Sequence, residues 1–413
     1  MPHTSDDTVL LLISSGNPAY RAYCLESAAR RHRVVLVDAT APTWQLRHIV
    51  DHEVADPHDL AALREAVARL ADRHTIAGVL TWDEYCLLPT AQIATDLGLP
   101  GQSSATAAAC RNKSAARAVW AAEGVPSAQS IRATSLVTVN TAARRIGYPV
   151  VLKPAAYAGS IGVIKVEQAQ DLPAAYVYAS EEAVGQGAEG SGLLVEEYLD
   201  GPEISVECVT VYGITTPVAV TRKFLGPEPL FQEVGHTVVA DDPLLAQVGP
   251  VAEAALDALG VNTAVSHVEM RLTSSGARLI EVNGRIGGDL IGRLVQLATG
   301  IDLPAIAADI ALGREPDLTP TRREAAGVRF ILPSTSGTIR RAQPREELGS
   351  PDWLERLRFE HETGEQILLP DDGGNLHTGR LAHVVVTGAD ADQVHARLDH
   401  VTSLLDVEVG ETA

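Results

Sequence analysis

Two neighbouring segments near the middle of the chain alternate strictly between apolar and polar residues. They are 267–272 and 279–285, and their apolar residues are Val268, Met270, Leu272, Ile280 and Val282. This alternation is typical of β-strands that are buried on one face only. A three-residue loop at Ser274-Ser275-Gly276, with Gly276 in the left-handed conformation, would join the segments as a hairpin. That register places Glu269 directly opposite Glu281.

The two carboxylates at these positions would face each other across the strand pair. With Cβ atoms about 5 Å apart, like charges destabilise such a pair. A divalent cation bound by Glu269 and Glu281 would turn the repulsion into binding, and Asn283 would add an oxygen ligand. The alternative is an ordinary surface hairpin whose charged side chains point into water.

The first hundred residues alternate between strand-like and helix-like patterns. Apolar runs predict strands at Val9–Ser14, Val34–Asp38 and Ile76–Thr81. Helical periodicity is found near Tyr20–Arg31, Leu60–Asp72 and Leu87–Leu97. Strands and helices in alternation are typical of a small parallel α/β sheet.

The remainder of the chain follows a mixed pattern. One long helix is predicted over Ala105–Glu123, with later helices at Leu244–Leu259 and Asp289–Ala298. Strands are expected at Val150–Pro154, Val163–Val166, Leu193–Tyr198, Ile204–Val211, Val328–Leu332, Gly337–Arg340 and His383–Val386. Short strands separated by turns beyond about Pro316 indicate a small β-rich cap.

Composition narrows the class of protein. A chain of 413 residues is too long for a single hydrophobic core, so we expect two to four structural units. A net charge of −20 argues against a nucleic-acid or anionic-membrane surface. The four cysteines lack metal-ligand spacing, the first seven residues lack a basic segment, and no apolar run approaches about 18 residues. We therefore expect a cytoplasmic protein without a signal peptide or membrane span.

A second informative run extends from Gly147 to Gly162. Apolar residues lead into Lys153, and a turn with Gly159, Ser160 and Gly162 follows. A lysine that ends a buried strand is costly unless it meets an anion, and the glycines let backbone amides approach phosphate oxygens. A hairpin whose lysine extends to the surface is the alternative.

A third run, Leu193–Val206, combines an apolar strand with carboxylates. Glu196 and Glu197 end the strand, and Glu203 follows a turn. Exposed backbone groups here could bind a purine, and a carboxylate could bind ribose hydroxyls. A hairpin with acidic ends would show the same pattern.

Taken together and in this order, the three runs resemble the ATP-grasp superfamily, most of all its L-amino-acid ligases and related carboxylate–amine ligases. The resemblance spans about residues 105–315. It implies an N-terminal parallel α/β domain, a two-lobed ATP-grasp core and a C-terminal β-rich domain. The expected boundaries are 1–104, 105–190 for the small lobe, 191–315 for the large lobe with the metal site, and 316–413.

The resemblance also implies roles for individual residues. Lys113 and Lys153 correspond to lysines that hold the nucleotide phosphates, and 159–162 to the loop that closes over them. Glu269, Glu281 and Asn283 correspond to magnesium ligands, and Arg285 to the arginine that steadies the transferred phosphoryl group. The adenine and ribose contacts correspond to Glu196, the backbone of Glu197, Leu199 and Glu203.

Substrate contacts are expected from four further positions. The segment Phe231–His236 resembles one whose glutamate and histidine line the amino-acid pocket, which assigns Glu233 and His236 to it. Glu84 follows the third predicted strand and could reach the same pocket, or could stabilise a helix N-terminus. Asp289 could bind a substrate ammonium or cap a helix. Glu84, Glu233 and Asp289 form an acidic set, from which we expect a substrate with a free amino group.

Arg222 and Lys223 precede this pocket segment on a strand of their own. They could face phosphate. The alternative is a solvated pair on an edge strand.

The function implied is an ATP-dependent carboxylate–amine ligase that joins amino acids, or an amino acid and a related acid, through an acyl phosphate. ATP and two Mg²⁺ ions are the expected cofactors, with Mn²⁺ as a substitute. The expected partners are small carboxylates and amines. The chain could also form a homodimer. The alternatives are a bicarbonate-activating or purine-pathway ATP-grasp ligase, and a non-catalytic nucleotide-binding protein.

Overall fold

A computed structural model describes residues 8–156, 159–183, 192–375 and 377–410. Its N-terminal part is a parallel sheet of strands β1 to β4, in the order β3-β2-β1-β4. The strands are Thr8–Ile13, Val34–Asp38, Asp51–Val54 and Thr75–Leu80, and the helices α1 to α3 are Pro18–Ala29, Leu60–Ala71 and Leu87–Asp96. The parallel α/β prediction is confirmed. Sequence patterning missed β3, because this edge strand reads Asp-His-Glu-Val and has no apolar run.

The single helix predicted over Ala105–Glu123 is wrong. The structure has α4 at Ser104–Arg111 and α5 at Lys113–Glu123. Asn112 between them is extended, and its side chain accepts hydrogen bonds from the backbone N–H groups of Ser114 and Ala115. This N-cap starts a new helix with Lys113 in its first turn.

A four-stranded antiparallel sheet follows, in the order β5-β8-β6-β7. Its strands are Ser130–Ala133, Val150–Pro154, Ile164–Val166 and Leu193–Glu197, and its helices α6 and α7 are Leu136–Ile146 and Leu172–Ala183. Val150 and Leu152 are fully buried against the helices. Lys153 therefore ends a strand that the core holds firmly.

The remaining strands complete a large sheet and a small one. Strands β9 to β19 are Glu203–Val211, Ile214–Leu225, Glu233–Val239, Ala264–Thr273, Gly276–Asn283, Ala325–Ile331, Gly337–Pro344, Leu354–Phe359, Gln366–Ile367, Ala382–Gly388 and Leu405–Gly410. The large sheet has eight strands in the order β13-β12-β9-β10-β11-β14-β18-β16, and β17-β15-β19 form a separate sheet. Helices α8 to α11 are Leu245–Ala258, Ile291–Thr299, Leu303–Ala311 and Ala391–Ser403.

Three of the C-terminal strands extend the large sheet, and three others form the separate small sheet. Strand β14 pairs with β11 of the central sheet, and β18 and β16 extend the same sheet outward. This continuity brings Arg380 beside Glu233 of β11 and beside Asp289. The domain boundaries stay predictions, and the predicted boundary at 190/191 lies outside the described residues.

The central hairpin has the predicted register but not the predicted loop. Glu269 pairs with Glu281, yet Thr273 already pairs with Gly276, so the loop is Ser274-Ser275 alone. Gly276 has a positive φ of 109°, as expected. A β-bulge at Ile280 supplies the residue that the shorter loop lacks.

The bulge also breaks the predicted alternation. Leu279 and Val282 are buried in the core with Val268 and Met270, whereas Ile280 lines a cleft. The expected core position of Ile280 is therefore wrong. The bulge turns one extra side chain, next to Glu281, toward the cleft.

Among the described residues, no helix taken singly has the length and apolarity to cross a membrane. Helices α9 and α10 meet the criterion only as a pair bent by 104°. Much of this pair is buried in the main hydrophobic core.

Candidate active site

A cleft lined by the four-stranded and the eight-stranded antiparallel sheets collects most of the predicted site residues. Its empty volume is about 1130 Å³, including the open mouth. The predicted residues that line it are Lys113, Lys153, Gly159, Ser160, Glu196, Glu197, Leu199, Glu203, Glu233, Glu269, Glu281, Asn283, Arg285 and Asp289. Glu84 and His236 lie just behind the lining, in contact with Arg285 and Asp289 respectively. Gly162 follows Ser160 and Ile161, which line the cleft.

The end of β6 is held by a buried network of three charges. The Glu196 carboxylate lies 2.7 Å from the Lys153 ammonium, and Arg117 donates to both of its oxygens at 2.8 and 3.0 Å. Burial alone would raise the pKa of Glu196, but Arg117 and Lys153 outweigh it and lower that pKa to about 2. The resemblance assigns Glu196 to the adenine and ribose contacts. In the structure its carboxylate serves to fix Lys153.

The carboxylates of the central hairpin each have a cationic partner. Glu281 lies 3.1 Å from the ammonium of Lys113, and Glu269 lies 3.0 Å from that of Lys223. Asn283 is 3 % exposed and follows Glu281 on the same strand. Carboxylate and amide oxygens that already attract cations are the donor set that Mg²⁺ prefers, so these residues fit the expected metal.

Glu269 has a second, deeply buried support. His267 lies 3.0 Å from Glu269 through Nε2 and 2.9 Å from Glu207 through Nδ1. Burial would lower the pKa of His267, but Glu207 and Glu269 outweigh it and raise that pKa to about 9. A protonated imidazole donates to both carboxylates, which orients the Glu269 side chain.

Lys223 lies between Glu269 of the central hairpin and Glu233 of β11. Its ammonium lies 2.6 Å from Glu233 and 3.8 Å from Glu203. Strand β10 is interior, between β9 and β11, so the edge-strand alternative for Arg222 and Lys223 is wrong. Arg222 instead forms a two-point ion pair with Asp242.

Glu203, expected at the ribose, is itself engaged. Arg271 donates to its carboxylate at 3.2 Å and also to the carbonyl groups of Leu199 and Gly201. Arg271 therefore links the segment from Leu199 to Glu203 with the central hairpin.

Arg285 lies at the junction of the N-terminal domain and the cleft. Its Nε is 2.9 Å from the Glu84 carboxylate, and its Nη2 donates to the Asn283 side chain at 3.3 Å. Burial raises the pKa of Glu84, while Arg285 opposes that shift. The first domain thus contributes a carboxylate beside the candidate catalytic arginine.

Asp289 has a role that local sequence did not indicate. Helix α9 begins at Ile291, and Asp289 has a positive φ of 50°, so the helix-cap alternative is wrong. Arg380 donates to both Asp289 oxygens at 2.7 Å, and His236 Nε2 lies 3.4 Å away. Sequence reasoning missed Arg380 because it lies far along the chain.

The acidic set predicted around the substrate is therefore neutralised. Glu84 pairs with Arg285, Glu233 with Lys223, and Asp289 with Arg380. An excess of carboxylates no longer supports the expectation of a free amino group on a substrate.

The loop expected to close over phosphates is compact at its C-terminal end. Gly159, Ser160 and Gly162 all have positive φ values between 56 and 72°. Gly159 packs against His377 so closely that a Cβ would lie 2.3 Å from His377 Nε2. The C-terminal part of the chain thus contacts the loop directly.

The chain is similar to proteins with ATP-grasp domains. A model described as an ATP-grasp domain matches residues 146–293, and one described as an ATP-grasp N-terminal domain matches residues 27–101. The uncharacterized protein y4rH of Sinorhizobium fredii is 31 % identical over 344 residues, which cover 80 % of this chain and 69 % of that protein.

Two relatives of stated activity are more distant. The L-arginine-specific L-amino acid ligase of Bacillus subtilis is 24 % identical over 324 residues, 76 % of each chain. The crystal structure of L-amino acid ligase from Bacillus licheniformis superposes with a TM-score of 0.83 at 21 % identity, covering 98 % of this chain and all of that one. The fold is therefore shared along nearly the whole chain.

Proposed function

Because this chain belongs to the ATP-grasp superfamily, we propose that it is an ATP-dependent carboxylate–amine ligase that joins two amino acids, or an amino acid and a related acid. The observation that carries the proposal is the cross-strand pair of Glu269 and Glu281 in one cleft with Lys153 and Arg285. Acidic oxygens and cations must converge in this way to hold a nucleotide triphosphate and a second anion together.

Lys113 and Lys153 would bind the phosphate oxygens of ATP. Both ammonium groups are buried beside carboxylates, so they are held in place before the nucleotide arrives. Glu269, Glu281 and Asn283 would hold Mg²⁺. When bound, the metal would neutralise phosphate charge and orient the terminal phosphoryl group.

The reaction would proceed in two displacements. A substrate carboxylate oxygen attacks the γ-phosphorus of ATP, the bond to the β-phosphate oxygen breaks, and ADP leaves. The amine of the second substrate then attacks the acyl phosphate, which forms the amide and releases phosphate and a proton. Charge moves onto oxygens at each stage, and Arg285 can donate two parallel hydrogen bonds to them.

Arg285 is suited to this task by its present contacts. Its ion pair with Glu84 is close in distance but does not have hydrogen-bond geometry. The guanidinium can therefore exchange Glu84 for a phosphoryl oxygen without breaking an aligned hydrogen bond. Closure of the 159–162 loop would keep water from the acyl phosphate.

The likeness to L-amino acid ligases supports amino acids as substrates over bicarbonate or a purine precursor. A screen tests this choice. Purified protein, Mg-ATP and pairs drawn from the twenty amino acids are assayed for phosphate and then for product mass. Amino-acid-dependent ADP release with an amide product supports the proposal. Release that depends on bicarbonate, or none with any pair, contradicts it.

A further inference from the structure

Asp289 and Arg380 form a two-point ion pair at the end of the cleft that contains Glu233 and His236. Each Asp289 oxygen accepts a hydrogen bond from the guanidinium at 2.7 Å. Asp289 lines the cleft, whereas Arg380 lies behind it and is only 2 % exposed. Paired parallel bonds between guanidinium and carboxylate are strong and directional. The carboxylate on the cleft wall is thus neutralised from behind.

Two further contacts hold Arg380 in this position. Its Nη2 donates to the Glu233 carbonyl at 3.3 Å, and its guanidinium carbon lies 3.6 Å from the centroid of the Phe330 ring. A guanidinium stacked on an aromatic face gains a cation–π contribution. Swinging Arg380 away to free Asp289 for a substrate would break all of these contacts together.

The neighbouring pair of Glu84 and Arg285 differs. Its nitrogen and oxygen are 2.9 Å apart, but among the described residues neither Arg285 Nε nor Glu84 Oε2 has a hydrogen-bond partner. Arg285 can therefore change partners during the reaction, while the Asp289–Arg380 pair stays closed. The Asp289–Arg380 pair is therefore a fixed part of the cleft wall and does not take part in the reaction.

Resting on the proposed ligase function, we infer that the Asp289–Arg380 pair makes this wall electrically neutral and selects a substrate amino acid with an uncharged side chain. A cationic side chain placed here would lose its water and find the Asp289 carboxylate already bound to Arg380. An anionic side chain would meet that carboxylate first. An uncharged side chain avoids the desolvation cost of the cation and the charge repulsion met by the anion.

Single substitutions at the pair should shift specificity in opposite directions. Arg380→Met leaves Asp289 as an unpaired acid, so ADP release with lysine should rise at least about tenfold relative to norleucine, its uncharged counterpart of similar length. Asp289→Asn leaves the cation, so glutamate should gain about tenfold over glutamine. The double variant should return both ratios to within about threefold of wild type.

Arg222→Met is the matched control, because Arg222 forms a similar two-point pair with Asp242 and neither residue lines the cleft. It should leave both ratios unchanged. If Arg380→Met does not fold, the nearly isosteric Asp289→Asn tests the same wall with the opposite sign. Turnover with unchanged ratios in the single variants overturns this inference alone. Failure of every amino acid to stimulate ADP release, in wild type and variants alike, overturns the proposed function as well.

Discussion

Glu269 on β12 and Glu281 on β13 are direct cross-strand partners. Each carboxylate has its own lysine, Lys223 and Lys113 respectively. Two carboxylates that face each other across neighbouring strands would destabilise the sheet unless cations lay beside them. The relationship therefore links the stability of the hairpin to its capacity to bind a metal and a nucleotide.

Glu281→Ala should lower Mg-ATP turnover about 100-fold or more, because it removes a negative oxygen ligand where phosphate charge must be balanced. Circular dichroism should show an unchanged fold, since Glu281 is not part of the apolar core. The control is Glu253→Ala, at an exposed position of α8. Undiminished ADP release by Glu281→Ala would count heavily against the assigned function.

Arg117→Met should destabilise the protein by about 3–5 kcal/mol, the usual cost of breaking a buried ion pair. Glu196 would lose the cation that binds both of its oxygens. Urea unfolding measures the change. Arg64→Met removes an exposed partner of Asp96 and should cost less than about 1 kcal/mol. Equal effects of the two variants would show that burial of the Arg117 network contributes nothing.

Acid should destabilise the protein through Glu196. Its pKa is lowered from 4.5 to about 2 in the folded state, so between these values the unfolded chain binds more protons. The stabilisation is present above about pH 4.5 and is lost as the pH falls toward 2. Glu196→Gln should be less stable at neutral pH but lose less stability across this window. Parallel slopes of unfolding free energy against pH for both proteins would contradict this origin.

Gly159→Ala should raise the KM for ATP several-fold, since the new Cβ would lie 2.3 Å from His377 Nε2 in a backbone of positive φ. Adding His377→Ala should recover part of the loss, because it removes the clash but not the backbone strain. Gly276→Ala also has positive φ but meets nothing within 4 Å, and serves as the control. No recovery in the double variant would assign the whole effect to the backbone.

Local pattern was sufficient for three of the four strands of the N-terminal sheet and for the register of the central hairpin. Apolar runs such as Val34–Asp38 coincide with observed strands because burial and period-2 side-chain direction are read along the chain itself. The Glu269–Glu281 register was predicted although the loop was not. One residue fewer in the turn is offset by one more in the bulge at Ile280.

The sequence identified Asp289 and Lys153 as charged residues of the candidate active site. It did not identify the residues with which they form ion pairs. Arg380 lies 91 positions from Asp289, and Arg117 lies 79 from Glu196. Such pairs depend on how separate sheets and helices pack, and periodicity carries no information about that. The sequence by itself determined which side chains carry charge and which carboxylates face each other in the central hairpin. Only the tertiary structure decided which charges neutralise each other, because ion pairing depends on distance in space and on burial from water.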